Sequence, residues 1–139
     1  LIIRNASEEV AKWAEVHLGS GVFTPSFEAW GITDRLGRLT GAIILNDYAE
    51  RNIELTFVGP GLLKAGVCRE LAVYCFDTLK CNRVTVRTRS RNRFIRGLIK
   101  KMGARQEGVL RRWFTDDDAV IYGLLREECR YLKGNSHAE

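Results

Sequence analysis

Between Ile53 and Leu79 the chain changes period once, and that change constrains the fold more than any other feature. Ile53, Leu55 and Phe57 alternate with Glu54 and Thr56, the pattern of a strand with one apolar face and with Glu54 on the opposite one. The run Gly59-Pro60-Gly61-Leu62-Leu63-Lys64-Ala65-Gly66 interrupts the alternation. Val67, Leu71, Tyr74, Cys75 and Leu79 then recur at helical spacing. A strand, a glycine-bearing loop and a helix in this order form a unit that must pack against a larger sheet.

The flanking sequence supplies that sheet. Leu1–Arg4 reads as a short strand, and Ser7 opens a helix with Glu8 and Glu9 in its first turn, where carboxylates suit the helix dipole. Val10, Trp13, Ala14 and Leu18 form its apolar stripe, with Gly19 and Gly21 expected to end it. Ala29–Thr33 and Arg38–Leu45 read as strands around an Asp34–Gly37 turn, and Asn46–Asn52 as a second polar turn. Val84, Val86 and Thr88 mark another strand. Asn92 begins a helix with Ile95, Leu98, Ile99 and Met102 inward and Gly103 as its stop. Gln106–Phe114 and Ala119–Leu125 are final strands around Asp116-Asp117-Asp118. The order β-α-β-β-β-α-β-α-β-β predicts one α+β domain over residues 1–139, with a mixed, mostly antiparallel sheet flanked by helices.

Composition removes several classes. The chain is 45% hydrophobic, and no uncharged apolar run nears the ~18 residues of a membrane span. Cys68, Cys75, Cys81 and Cys129 show no CxxC spacing and lie within periodic segments, and only His17 and His137 accompany them. No metal site is expected, and buried reduced thiols together with the lack of a leader-like opening point to the cytoplasm. The net charge of +5 is uneven. Residues 80–113 hold twelve Lys/Arg and one acid, Glu107, whereas residues 1–79 and 114–139 each sum to −3. Charge alone leaves open a nucleotide-like ligand, an acidic protein or nucleic acid for that basic region. Its lack of interleaved stacking aromatics speaks against nucleic acid.

Two constellations carry candidate chemistry. The loop before the Val67 helix reads either as an anion site made of helix-start amides or as a tight turn; it is neither a Walker A loop nor GxGxxG. Glu54 reads either as a general base for amine chemistry or as a surface carboxylate. Cys68 is a weaker nucleophile candidate, because no histidine accompanies it.

Arg83-Val84, Asn92, the helix closing at Gly103 and the segment Glu107-Gly108-x-Leu110-Arg111 together resemble the C-terminal half of GNAT acetyltransferases. Tyr74-Cys75-Phe76-Asp77-x-Leu79 is similar to the end of that family's pyrophosphate-binding helix, and Ala119–Leu125 with Arg126-Glu127-Glu128 to the last strand of its ribosomal-protein and N-terminal acetyltransferase branch. Small acetyltransferase-like proteins of bacteriophages look most similar. The resemblance implies a GNAT fold and transfer of acetyl from acetyl-CoA to a primary amine of a protein or small molecule. It implies that Phe57 and Val58 line the pantetheine arm, that amides of Lys64, Ala65, Gly66 and Val67 take the pyrophosphate, that Asn92 bonds the pantetheine end, and that Glu54 is the base. The chain departs from the family at three places: Leu63-x-x-Gly66-x-Cys68 replaces Gln/Arg-x-x-Gly-x-Gly/Ala, Ile99 replaces the thiolate-protonating tyrosine, and Ile95 replaces the branch's serine. These departures leave as alternative a catalytically impaired GNAT-fold protein that binds an acidic partner or nucleic acid through residues 80–113.

Overall fold

A computed structural model describes residues 1–18, 27–63 and 65–132. Its strands are β1 (Ile2–Ile3), β2 (Glu28–Thr33), β3 (Leu39–Ala49), β4 (Asn52–Val58), β5 (Arg83–Arg89), β6 (Arg105–Phe114) and β7 (Asp117–Leu125). The helices are α1 (Ser7–Leu18), α2 (Ala65–Val73) and α3 (Arg93–Met102). The element order expected from the periodicity is the observed one. The seven strands form one sheet in the order β1-β2-β3-β4-β5-β7-β6. Every neighbouring pair is antiparallel except β4 and β5, which are parallel.

Alternation along the strands sorts side chains between two cores. Trp30, Ile32, Ile43, Leu45, Ile53, Leu55, Phe57, Val84 and Val86 pack with residues of α2 and α3 on one face. Ala29, Ala42, Ile44 and Val58 pack beneath Val10 and Ala14 of α1 on the other. Glu54 and Thr56, one step out of phase with Leu55 and Phe57, therefore lie on the α1 face. A cluster of four side chains ties β2 to the residue after β1 and to the turn that follows α2. Tyr74 donates to Glu28 at 2.6 Å, Trp30 Nε1 donates to the same carboxylate at 3.1 Å, and the Arg4 guanidinium stacks on both rings.

The boundaries differ in four places. The Asn46–Asn52 turn is shorter than expected, since β3 runs on to Ala49 through a bulge and only Glu50 and Arg51, both at positive φ, make the hairpin turn. Polar side chains there hid a continuing ladder, because backbone pairing does not need apolar residues. Between β4 and α2, Pro60–Leu63 form a tight 3₁₀ turn and α2 begins at Ala65. The helix expected to reach Leu79 as α-helix instead widens into a π turn over Tyr74–Thr78, closed by Leu79 N–H donating to the Tyr74 carbonyl at 2.8 Å. That wider turn buries the consecutive residues Cys75 and Phe76. Asp117 and Asp118 belong to β7 rather than to a turn. The stop expected for α1 at Gly19 and Gly21 lies outside the described residues. Among the described residues no helix is long and apolar enough to cross a membrane.

Both ends of α3 follow from local chemistry. The Asn92 side chain accepts from the Ile95 N–H at 3.1 Å, and Gly103 closes the helix at φ 111°. A Cβ on Gly103 would also run into the Glu128 carbonyl oxygen. Gly103→Ala is therefore expected to cost about 2 kcal/mol or more. Urea unfolding should show a lower midpoint at an unchanged slope.

Candidate functional site

β4 and β5 pair over four residues only, from Asn52↔Arg83 to Leu55↔Val86. Both strands continue, β4 to Val58 and β5 to Arg89, but no register pairs join them beyond that point. A cavity of about 260 Å³ opens where the ladder stops. Glu54, Phe57, Arg87, Asn92, Trp113 and Phe114 are among its lining residues.

Its walls come from distant parts of the chain. Glu54 and Arg87 project on the same face, with Arg87 Nη2 at 3.8 Å from the Glu54 carboxylate, an ion pair too long for a hydrogen bond. Trp113, from the end of β6, lies against the Arg87 guanidinium at 4.5 Å from ring centroid to Cζ. Phe114 covers Arg89 in the same way at 4.3 Å, and Arg89 is hydrogen-bonded to Asp116. The β6–β7 end thus reaches across β7 and closes one side of the cleft.

The residues singled out from the sequence divide into three groups. Glu54, Phe57 and Asn92 meet around the opening. Asn92 commits its side-chain oxygen to capping α3, and among the described residues no group takes its amide hydrogens. Val58 and Val67 are core residues, 6% and 4% exposed, so only their backbones could meet a ligand. Ala65 and Gly66 occupy the first turn of α2, where helix N–H groups lack intrahelical acceptors. Lys64 lies outside the described residues. The loop's glycines separate by role. A Cβ on Gly59 or Gly61 would collide with Thr40 or crowd Gly41 of β3, whereas one on Gly66 meets no atom within 4 Å. Packing requires the first two. Nothing in the protein's own packing requires the third.

Other candidates lose their chemistry. Cys68 is buried, and burial pushes its thiol up to about 11. In the acidic turn, the hydrogen bond from Arg89 holds Asp116 below the usual carboxylate range, and the Arg91 backbone N–H does the same for Asp117. Asp118 accepts from the Arg112 N–H at 2.8 Å. This turn anchors β5 and β6 and offers no poised base.

Much of the basic run is also engaged within the protein. Arg83 grips Glu107 with two bonds of 2.8 and 3.3 Å, Arg91 contacts Asp116 and Asp117, and Arg105 pairs with Glu128 at 3.0 Å. Arg96 donates to Tyr122 and to the Ser90 carbonyl. Sequence reasoning did not single out Arg87 or Phe114 as site residues. One signal was present, since the β5 alternation sets Arg83, Thr85, Arg87 and Arg89 on one face. Nothing local indicated that β6 would fold over them.

No family model matches the chain, and no curated protein does. Solved structures do. The spermidine N-acetyltransferase of Vibrio cholerae, as its F149A mutant, superposes with a TM-score of 0.65 at 16% identity, covering 93% of this chain and 79% of its own. A probable acetyltransferase superposes at 0.64 with 26% identity, covering 75% of this chain and 63% of its own. The mixed seven-stranded sheet with its flanking helices is the GNAT acetyltransferase fold of these neighbours.

All four cysteines are buried, and none forms a disulfide among the described residues. At pH 8 about one Cys68 in a thousand carries the reactive thiolate, given its value of about 11. Alkylation of the native protein at pH 8 should therefore leave all four thiols unlabelled, with four labels appearing after unfolding in denaturant. Mass spectrometry reads both states.

Proposed function

We propose that this chain is an acyltransferase, an N-acetyltransferase that passes the acetyl group of acetyl-CoA directly to a primary amine in the cleft between β4 and β5. The observation that carries the reading is the early end of the β4–β5 ladder at Leu55↔Val86. It leaves the β5-facing edge of β4 without a strand opposite it, beside a cavity that contains a carboxylate, in a fold shared with acetyltransferases. An extended, amide-bearing arm such as pantetheine can satisfy such an edge as an added strand would. The amide hydrogens of Asn92 border the same opening, and Phe57 and the backbone of Val58 supply its β4 side. The open space at Gly66 and the amides of Lys64 to Val67 suit a pyrophosphate at the start of α2.

The chemistry then needs an uncharged amine. Glu54 takes the ammonium proton, directly or through one water, and its loose 3.8 Å contact with Arg87 leaves carboxylate lone pairs to accept it. The amine nitrogen attacks the thioester carbonyl, the C–N bond forms, the C–S bond breaks, and the thiolate departs. Ile99, at the family's tyrosine position, is 1% exposed in the core, and no tyrosine is among the described residues lining the cleft. Solvent is therefore assigned the thiolate's proton.

The motifs around Asn92 and Glu107 support the ribosomal-protein and N-terminal branch and a bacteriophage-encoded member of it, and four buried thiols outside any disulfide support a cytoplasmic setting. A second, binding role toward an acidic partner would fall to Arg93, Lys100 and Lys101, which share the exposed side of α3.

Two variants test the enzyme. Glu54→Gln keeps shape and removes the base, so the acetylation rate should fall about 10²–10⁴-fold while calorimetric affinity for acetyl-CoA stays unchanged. Wild-type turnover by this variant would assign the base elsewhere. Gly66→Asp sets a carboxylate against the phosphates in open space and should weaken acetyl-CoA binding at least about tenfold without lowering stability. Undiminished affinity would move the pyrophosphate off this loop.

A further inference from the structure

Of the three arginines on β5, two are hydrogen-bonded to carboxylates. Arg83 donates two hydrogen bonds to Glu107, and Arg89 donates to Asp116. Arg87 is different. Its Nε is sealed from solvent and has no hydrogen-bond partner among the described residues. Trp113 covers its planar face, and its nearest carboxylate, Glu54, stands 3.8 Å away. The side chain is 32% exposed and lines the cavity. A guanidinium carries five donors in a fixed fork, and leaving them unmatched in a partly dry site is costly. The packing holds this fork in place, and among the described residues it makes no hydrogen bond, only the loose ion pair with Glu54.

We infer that Arg87 is the residue that reads the acceptor, and that the acceptor is an amine carrying a neighbouring oxyanion, a carboxylate in the simplest case. This rests on the proposed acetyl transfer, since it names the substrate class of that same cleft. Glu54 and Arg87 form a loose pair of opposite charges, and a zwitterion replaces both halves at once. Its ammonium meets Glu54, where the proton is to leave. Its oxyanion meets the two terminal nitrogens of the Arg87 fork, whose end-on geometry matches a planar carboxylate with two parallel hydrogen bonds. Trp113 keeps the guanidinium from swinging away. A polyamine whose second ammonium faces Arg87 meets a like charge there. The spermidine-acetylating neighbour thus shares the fold without sharing this acceptor preference.

The test compares each α-amino acid with its own amide, alongside spermidine, following CoA release at fixed acetyl-CoA. Wild-type protein and Arg87→Gln are run in parallel, with Arg87→Lys keeping the charge but not the fork. The amide keeps the amine and removes the oxyanion. Arg87→Gln should raise KM for the acids about 10–100-fold more than KM for the matching amides, so that acid and amide respond unequally whatever removal of the guanidinium beside Glu54 does to kcat. Arg87→Lys should recover part of the loss. Equal effects on acid and amide, or spermidine used better than every acid, would overturn the inference. A separate titration of the acids into protein without acetyl-CoA separates the two levels. Arg87-dependent binding of acids in a protein that binds no acetyl-CoA would sustain the acceptor class and sink the transferase reading. Acetyl-CoA binding with no acid preferred over its amide in either assay would do the reverse.

Discussion

Parallel strands pair through slanted hydrogen bonds that are slightly less stable than antiparallel ones, and β4 and β5 are joined in this way over only four residues. Each has a stronger claim on its other side. β5 pairs antiparallel with β7 over its whole length, from Arg83↔Leu125 to Arg89↔Ala119. β4 pairs with β3 through Ala42↔Val58, and Val58 is anchored beneath α1. The weak seam therefore opens where the two halves of the sheet turn apart. The cavity, the position of Glu54 at its start and the free edge of β4 all follow from that seam.

Charge distribution follows the same division. The +11 of residues 80–113 looks in the sequence like one surface for an anionic partner. In the fold, Arg83, Arg89, Arg91 and Arg105 meet carboxylates from elsewhere in the chain, and these pairs fasten β5, β6 and the end of β7 to one another. Exposed pairs of this kind add little stability each, but they hold the β6–β7 end in register over the cleft. Trp113 and Phe114 owe their places on Arg87 and Arg89 to that arrangement. Part of a basic run that suggested a docking surface thus braces the fold, Arg87 and Arg89 line the cavity, and Arg93, Lys100 and Lys101 stay exposed on α3.

Element order, inward stripes and the ends of α3 were legible because their causes lie within a few residues. Glu54 lies opposite Ile53, Leu55 and Phe57 through period-two alternation alone, and Asn92 and Gly103 bound α3 through capping chemistry that needs no distant contact. The hairpin at Glu50-Arg51 and the π turn after Val73 were not legible. One uses positive φ at residues that do not advertise it, and the other answers the need to bury Cys75 and Phe76 together. The sequence by itself determined which side chains each strand and helix could offer, including a carboxylate and a capping asparagine at the site. Only the tertiary structure decided that β5 would lie between β4 and β7, that pairing would cease at Leu55 and Val86, and that Trp113 would pin Arg87 beside Glu54. Those outcomes depend on which strand edges meet, a competition among backbone ladders distant in sequence that no local period records.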